Sequence, residues 1–156
     1  MLMKNENTAG QPDQNMVTEF FEKMQLSGLI KDHEGKYSFI FDDNIEVDIL
    51  LERRYLFFET LIATLPKKVM TKDRLLSDLA KHTLFDMKEH EVCFYIDNTT
   101  NSVNGYLRVP VDGINETEFE SSLGNFINVA ETYKNLMDKI LRMGELSDIP
   151  IEFRTD

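Results

Sequence analysis

The sequence predicts an α+β protein in which three helices pack on a curved antiparallel sheet, in the order α-β-β-β-α-β-β-α. The hydrophobic period changes along the chain between the 3.6-residue spacing of a helix and the strict alternation of a strand. The alternating segments also occur in pairs separated by short polar turns, which is typical of antiparallel hairpins. We therefore expect one folded domain over residues 16–144, with a flexible N-terminal tail at 1–15 and a C-terminal tail at 145–156.

The first half of the domain is predicted to be a helix followed by three strands. The helix is indicated by apolar residues at i, i+3, i+4 and i+7, namely Val17, Phe20, Phe21 and Met24. Two alternating runs follow on either side of a polar turn at residues 42–44; their members are Tyr37, Phe39, Phe41, Ile45, Val47 and Ile49. Residues 55–65 are rich enough in aromatic and β-branched side chains for a third strand, which ends at Pro66 because proline cannot donate a ladder hydrogen bond.

The second half is predicted to be a helix, a second hairpin and a long last helix. Thr71 is expected to cap a helix whose apolar stripe consists of Leu75, Leu76, Leu79, Ala80 and Leu84. The hairpin is indicated by alternation on both sides of a polar turn at residues 97–102; its apolar residues are Val92, Phe94, Ile96, Val103, Leu107 and Val109. Asn115 and Glu118 have the spacing of a capping box, and helical periodicity then continues as far as Gly144.

Composition excludes several classes of protein. The 156 residues include 17 Lys and Arg against 28 Asp and Glu, so the net charge is −11 and a generic nucleic-acid binder is excluded. One cysteine cannot form an intrachain disulfide, which favours a reducing compartment. We expect neither a signal peptide, because the N-terminal residues contain no apolar h-region, nor a membrane span, because no run of about 20 mostly apolar residues occurs. We expect a soluble, cytoplasmic protein that does not bind a membrane.

No constellation of catalytic residues stands out. The glycines are scattered rather than grouped into a phosphate-binding loop, and the three histidines lack the spacing of a zinc site. Cys93 lies within an alternating strand, where a structural or surface thiol is the simpler interpretation. The pair Asp42 and Asp43 is better explained as a turn, and Glu89 to Glu91 as the entrance to a strand. We therefore expect no catalytic residue, no metal and no cofactor.

Apolar surface is the remaining signal. One layer of helices covers only one face of a sheet, yet this chain has large apolar side chains on both faces of its predicted third strand. Monomers rarely expose contiguous apolar patches beyond a few hundred Å², so part of this surface is expected to meet another chain. Ordinary core packing is the competing interpretation for any single residue.

The chain resembles the class I type III secretion chaperones, small acidic proteins similar to the Tir chaperone. The likeness covers residues 16–143 and depends on the element order together with short stretches. These are the helix from Val17 to Met24 with Leu26–Leu29, the hairpin from Tyr37 to Val47, the end of a strand at Leu65-Pro66, the run Leu75-Leu76-Ser-Asp-Leu79, and Leu107-Arg-Val-Pro110. The sequence after Leu79 and the N-terminal tail depart from the family pattern.

The resemblance implies a non-enzymatic homodimer that binds the N-terminal region of a secreted effector, keeps it soluble and partly unfolded for export, and so serves virulence. Partner contacts implied for this chain are Phe20, Phe21, Met24, Tyr37, Phe39, Phe41, Ile49, Phe57 and Leu61. Dimer contacts implied through the second helix and the following strand are Leu75, Leu76, Leu79, Leu84, Val92 and Phe94. On this basis an aspartate at Phe39 or Phe21 is expected to remove partner binding without unfolding the chain.

Two alternatives stay open at the level of sequence. One is an interaction or regulatory domain of the same fold that binds a folded cytoplasmic partner, because a fold does not fix a function. The other is a small enzyme using Tyr106, Arg108 or His90, which would require these side chains to converge in a pocket.

Overall fold

The computed structural model describes residues 14–23, 30–31 and 36–147. Its elements are α1 (Gln14–Lys23), β1 (Ile30–Lys31), β2 (Tyr37–Phe41), β3 (Ile45–Glu52), β4 (Tyr55–Thr64), α2 (Val69–Asp86), β5 (Cys93–Asp97), β6 (Ser102–Pro110) and α3 (Glu116–Ser147). The strands form a sheet in the order β1-β2-β3-β4-β6-β5. The predicted class and order of elements are confirmed. The two-residue strand β1 is an addition, because so short a strand has no hydrophobic period to reveal it.

The ends of the helices follow local chemistry. The predicted capping box of α3 is present: the Glu118 amide donates to Oδ1 of Asn115 at 2.9 Å, and the Asn115 amide donates to the Glu118 carboxylate at 3.2 Å. The expected cap at Thr71 is wrong, because α2 begins at Val69 and its N-cap, Lys68, makes no side-chain capping bond. Helix α3 continues to Ser147, three residues beyond the predicted end at Gly144.

The chain divides into two compact units. The first unit consists of residues 1–58 and 108–124, and its core is aromatic. Phe119 of α3 is fully buried and contacts three rings: Phe20 stacks on it at a centroid distance of 4.9 Å, while Phe21 and Phe58 approach it edge-on at 5.8 Å. Phe21 also packs on Tyr37 of β2 at 5.2 Å. Helix α1 is therefore held against the first unit by its two phenylalanines.

The first hairpin has the turn that the sequence predicts. Strands β2 and β3 pair antiparallel from Tyr37 opposite Ile49 to Phe41 opposite Ile45. Asp42 and Asp43 both have positive φ, at 48° and 57°, a conformation that Asp tolerates better than most residues. The Asn44 amide closes the turn with a 3.1 Å hydrogen bond to the Phe41 carbonyl. The two aspartates therefore serve the backbone of a turn.

The second unit consists of residues 59–107 and 125–156. Its core joins β4, α2, β6 and α3 through ten buried side chains: Ile62, Ala63, Leu65, Leu75, Leu79, Val103, Ala130, Tyr133, Met137 and Ile140. Helices α2 and α3 run antiparallel. Tyr133 reaches Asp86 at the end of α2, and Gly144 lies against Thr71 at its beginning. The small Gly144 permits this approach, since an added Cβ would lie 3.1 Å from Cγ2 of Thr71.

Asn101 fixes the second hairpin to the end of β4. Its backbone has φ 52°, its carbonyl accepts a 2.8 Å bond from the Leu65 amide, and its Nδ2 donates to the Leu65 carbonyl at 3.0 Å. Lys72 of α2 donates to Oδ1 of the same side chain at 3.5 Å. One residue thus connects a strand end, a turn and a helix start.

Candidate functional site

Most of the residues proposed for partner contact are buried in the first unit. Five of them belong to its core: Phe20, Phe21, Tyr37, Phe39 and Ile49. Phe57 is half-buried, whereas Phe41 and Leu61 are exposed. Met24 lies outside the described residues. Phe39 and Phe21 are each only 3% exposed, so Phe39→Asp and Phe21→Asp are both expected to cost stability, contrary to what the sequence suggested.

The open end of β2 is the exposed apolar feature of the first unit. Strand β1 pairs with Tyr37 and Ser38, and no other described strand borders the outer edge of β2. Beyond the end of β1, Ile40 is exposed at 63% and Phe41 at 37%. We call Phe39 to Phe41 the β2 edge. In the described part of the chain, this edge has no pairing strand past Ser38, and two exposed apolar side chains lie beside it.

The proposed dimer residues fall into two groups in the second unit. Leu75 and Leu79 are buried in its core, and Leu76 and Phe94 are partly buried against that core. Val92 is also buried. Leu84, in contrast, is exposed, and so are four apolar residues that sequence reasoning missed: Phe85, Met87, Tyr95 and Ile96. Phe85 lies outside the predicted apolar stripe of α2. Its position next to Leu84 was therefore the only feature of the sequence that could have indicated its place in this exposed group.

Tyr133 of α3 brings the end of α2 and strand β5 together. Its hydroxyl donates to Oδ2 of Asp86 at 3.1 Å, and its ring packs on Phe94 of β5 at a centroid distance of 4.2 Å. His90 lies edge-on to both rings, 5.9 Å from Tyr133 and 6.3 Å from Phe94. Burial, with help from Asp86, raises the pKa of Tyr133 to about 12. The exposed apolar residues of α2 and β5 therefore belong to elements anchored on one buried ring.

We call the exposed residues Leu84, Phe85, Met87 and Ile96 the α2–β5 surface. Strand β5 is the last strand of the described sheet, so its outer edge has no described neighbour. The Tyr95 hydroxyl donates to the Glu59 carboxylate of β4, and its ring lies 5.9 Å from that of Tyr106. Burial and this hydrogen bond raise the pKa of Tyr95. The Tyr95 side chain is thus held in place although it is exposed.

The three side chains considered for an enzyme have separate neighbours. The Arg108 guanidinium lies 4.6 Å from the centre of the Tyr55 ring, Tyr106 lies beside Tyr95, and His90 lies edge-on to Phe94 and Tyr133. Within residues 14–23, 30–31 and 36–147, no group of three or more His, Cys, Asp or Glu residues could hold a metal ion. In the same ranges, no helix is long and apolar enough to span a membrane.

The chain is similar to proteins of one family. The family model described as the Tir chaperone protein (CesT) family matches residues 15–134. The transcriptional anti-antiactivator ExsC of Pseudomonas aeruginosa is 27% identical over 124 residues, which are 78% of this chain and 83% of ExsC.

Three solved structures with this fold are complexes with a partner protein. The ExsC–ExsE complex gives a TM-score of 0.57 at 25% identity, over 80% of this chain and 92% of that one. The HopA1–SchA chaperone–effector complex gives 0.58 at 14% identity, over 78% and 92%. The Yersinia pestis type III secretion chaperone SycH, in complex with a fragment of YscM2, gives 0.54 at 15% identity, over 77% and 98%. The last two likenesses concern the fold alone.

Proposed function

The chain belongs to the Tir chaperone protein (CesT) family and is a type III secretion chaperone rather than an enzyme, and on that premise we propose that it binds the N-terminal region of a secreted effector. By keeping that region soluble and partly unfolded, the chaperone would hold the effector ready for export. The complex of ExsC with ExsE supports a protein partner for this chain.

The β2 edge is the observation that carries this proposal. An extended peptide can add to a sheet edge through main-chain hydrogen bonds, while its alternate side chains contact apolar groups beside the edge. Among the described strands, none borders the outer edge of β2 past Ser38, and the side chains of Ile40 and Phe41 are exposed there. A net charge of −11 would keep a chain with such apolar surface in solution and would favour basic partner segments.

The test of partner binding compares two equally exposed apolar positions. The tagged protein is isolated from its native cells, bound proteins are identified, and limited proteolysis locates any protected segment. Ile40→Asp is expected to reduce recovery of the partner at least tenfold, while Val69→Asp, exposed at 69% against 63% for Ile40, should retain it. Equal recovery with both variants would remove the β2 edge from the binding site. A partner protected along its whole folded length would contradict the chaperone role.

A second candidate function is regulatory. The printed description of ExsC is a transcriptional anti-antiactivator, and ExsC was solved in complex with ExsE. By analogy with that description, this chain would act on transcription by binding a regulatory protein, rather than deliver an effector. Deletion of the chaperone separates the two functions: a regulatory role changes transcript levels of the secretion genes, whereas a delivery role changes only the secreted amount of one protein.

We also propose a homodimer joined through α2 and β5. The α2–β5 surface supports this arrangement, because it combines exposed apolar side chains with a strand edge that has no described neighbour. Phe85→Glu is expected to give a monomer in light scattering coupled to gel filtration. Met70→Glu, at a comparable exposure of 79% against 84% on the same helix, should remain a dimer. A monomeric wild type, or a dimeric Phe85→Glu variant, would contradict this interface.

A further inference from the structure

The start of α2 carries a basic and apolar patch that the proposed function does not use. Within six residues the chain places three lysines and two exposed apolar residues: Lys67, Lys68, Val69, Met70 and Lys72. We call these five residues the α2 N-terminal patch. Such a concentration of positive charge is unusual in a chain whose net charge is −11. The patch therefore suits an occupant that is both acidic and apolar.

The end of α3 lies next to this patch. Gly144 packs so closely on Thr71 that an added Cβ would lie 3.1 Å from its Cγ2, and the neighbouring Met143 is exposed. Helix α3 ends at Ser147, and residues 148–156 follow. Nine residues in extended conformation reach about 30 Å. The segment that begins at this helix end is thus long enough to cover the first turns of α2.

The sequence of residues 148–156 has the chemistry that the patch requires. Ile149, Ile151 and Phe153 alternate with other residues, so an extended chain would present all three on one side. Asp148, Glu152 and Asp156 against Arg154 give a net charge of −3 + 1 = −2. Pro150 prevents continuation of α3 and favours an extended backbone before it.

We propose that residues 148–156 bind in extended conformation to the α2 N-terminal patch of the same chain. The apolar side chains of the segment would cover Val69 and Met70, and its carboxylates would lie near the lysines. This contact would cover the α2 N-terminal patch and keep it from binding other acidic segments. It is independent of effector binding, since neither the β2 edge nor the α2–β5 surface takes part.

Disulfide trapping tests the proposal in the full-length chain. In a Cys93→Ser background, the Met70→Cys and Ile151→Cys substitutions are combined and mild oxidation is followed by mass spectrometry of peptides. An intrachain disulfide is expected to form at least tenfold faster than in the control that combines Leu84→Cys with Ile151→Cys. Leu84 is also exposed but lies at the other end of α2, so equal rates would overturn the proposal. A disulfide-linked dimer as the main product would overturn it too, because the segment would then bind a second copy.

Charge reversal provides a second measurement. Lys67→Glu with Lys68→Glu is expected to slow trapping at least fivefold at low salt, and 0.5 M NaCl should slow the unreversed chain similarly. Lys72 is left unchanged because it bonds to Asn101. Circular dichroism establishes that the variant is folded. Unchanged trapping in a folded variant would contradict charge pairing as the basis of the contact.

Discussion

Tyr133 donates a hydrogen bond to Oδ2 of Asp86 at 3.1 Å, which ties the middle of α3 to the last turn of α2. Tyr133→Phe removes only the hydroxyl and leaves the ring against Phe94. We expect a loss of about 1–2 kcal/mol in the free energy of unfolding, since the acceptor is charged. Urea denaturation measures it, and an unchanged midpoint would show that the bond contributes nothing net.

The same hydroxyl predicts a loss of stability at high pH. Burial raises the pKa of Tyr133 to about 12, above the value near 10 of an unfolded tyrosine. A raised native pKa stabilises the fold below pH 10, and this contribution disappears as the pH rises through 12. The melting temperature of the wild type should therefore fall more steeply between pH 10 and pH 12 than the melting temperature of the Tyr133→Phe variant. If the melting temperatures of the two proteins fell equally over this pH range, the pH dependence could not be assigned to Tyr133.

Phe39 and Phe41 form a matched pair on one strand. Phe39 is 3% exposed and Phe41 is 37% exposed, although both are phenylalanines on the same side of β2. Phe39→Ala is expected to cost about 3–5 kcal/mol because it leaves a cavity in the core. Phe41→Ala should cost less than about 1 kcal/mol. Chemical denaturation of the two variants side by side checks the contrast, which similar losses would refute.

Gly124 lies within α3, where glycine is unfavourable. Apart from the helix's own backbone and the adjacent residues, nothing lies within 4 Å of a Cβ added at this position, and its φ is not positive. Gly124→Ala is therefore expected to raise stability by about 0.5–1 kcal/mol. Gly144→Ala should gain less, since its Cβ would meet Thr71. Melting temperatures decide the comparison. If Gly144→Ala raised the melting temperature more than Gly124→Ala, that result would contradict the close approach of Gly144 to Thr71.

His90 has two buried ring nitrogens without a hydrogen-bond partner in the described part of the chain. An unsatisfied buried polar group costs about 1–3 kcal/mol, so His90→Leu is expected to stabilise the protein by about 1 kcal/mol. His82→Leu on the exposed side of α2 serves as the control and should change stability by less than about 0.5 kcal/mol. Denaturant midpoints at neutral pH give both values. A destabilised His90→Leu would reveal a bond that the imidazole makes in solution.

Periodicity in the sequence predicts which residues share a side of an element, and it predicts less well how far the neighbouring element covers that side. Leu75, Leu79 and Leu84 fit one helical stripe, yet only the first two are buried. The alternation of β2 likewise places Phe41 on the same side as Phe39, although the neighbouring elements cover Phe39 and leave Phe41 exposed. The α3 cap and the hairpin turns were predictable because their chemistry is local.

The site was less predictable than the fold for the same reason. Large apolar residues in strands indicate burial or binding without distinguishing them, and most of the proposed partner residues of the first unit turn out to form its core. Neither Phe85 nor Ile40 belongs to a periodic apolar pattern, so the sequence did not indicate that these side chains are exposed. Their exposure follows from the ends of neighbouring elements, which depend on long-range packing.

Asn101 leaves the chain little freedom to change at the second hairpin. Glycine would accept the positive φ but lose the amide that donates to Leu65, whereas aspartate would accept the same φ but set a carboxylate against the Leu65 carbonyl. Most other side chains would strain the backbone. The polar turn therefore contains one position, Asn101, where nearly every substitution is expected to be harmful. Exposed neighbours such as Asn98 do not combine a positive φ with such a hydrogen bond and are expected to tolerate substitution.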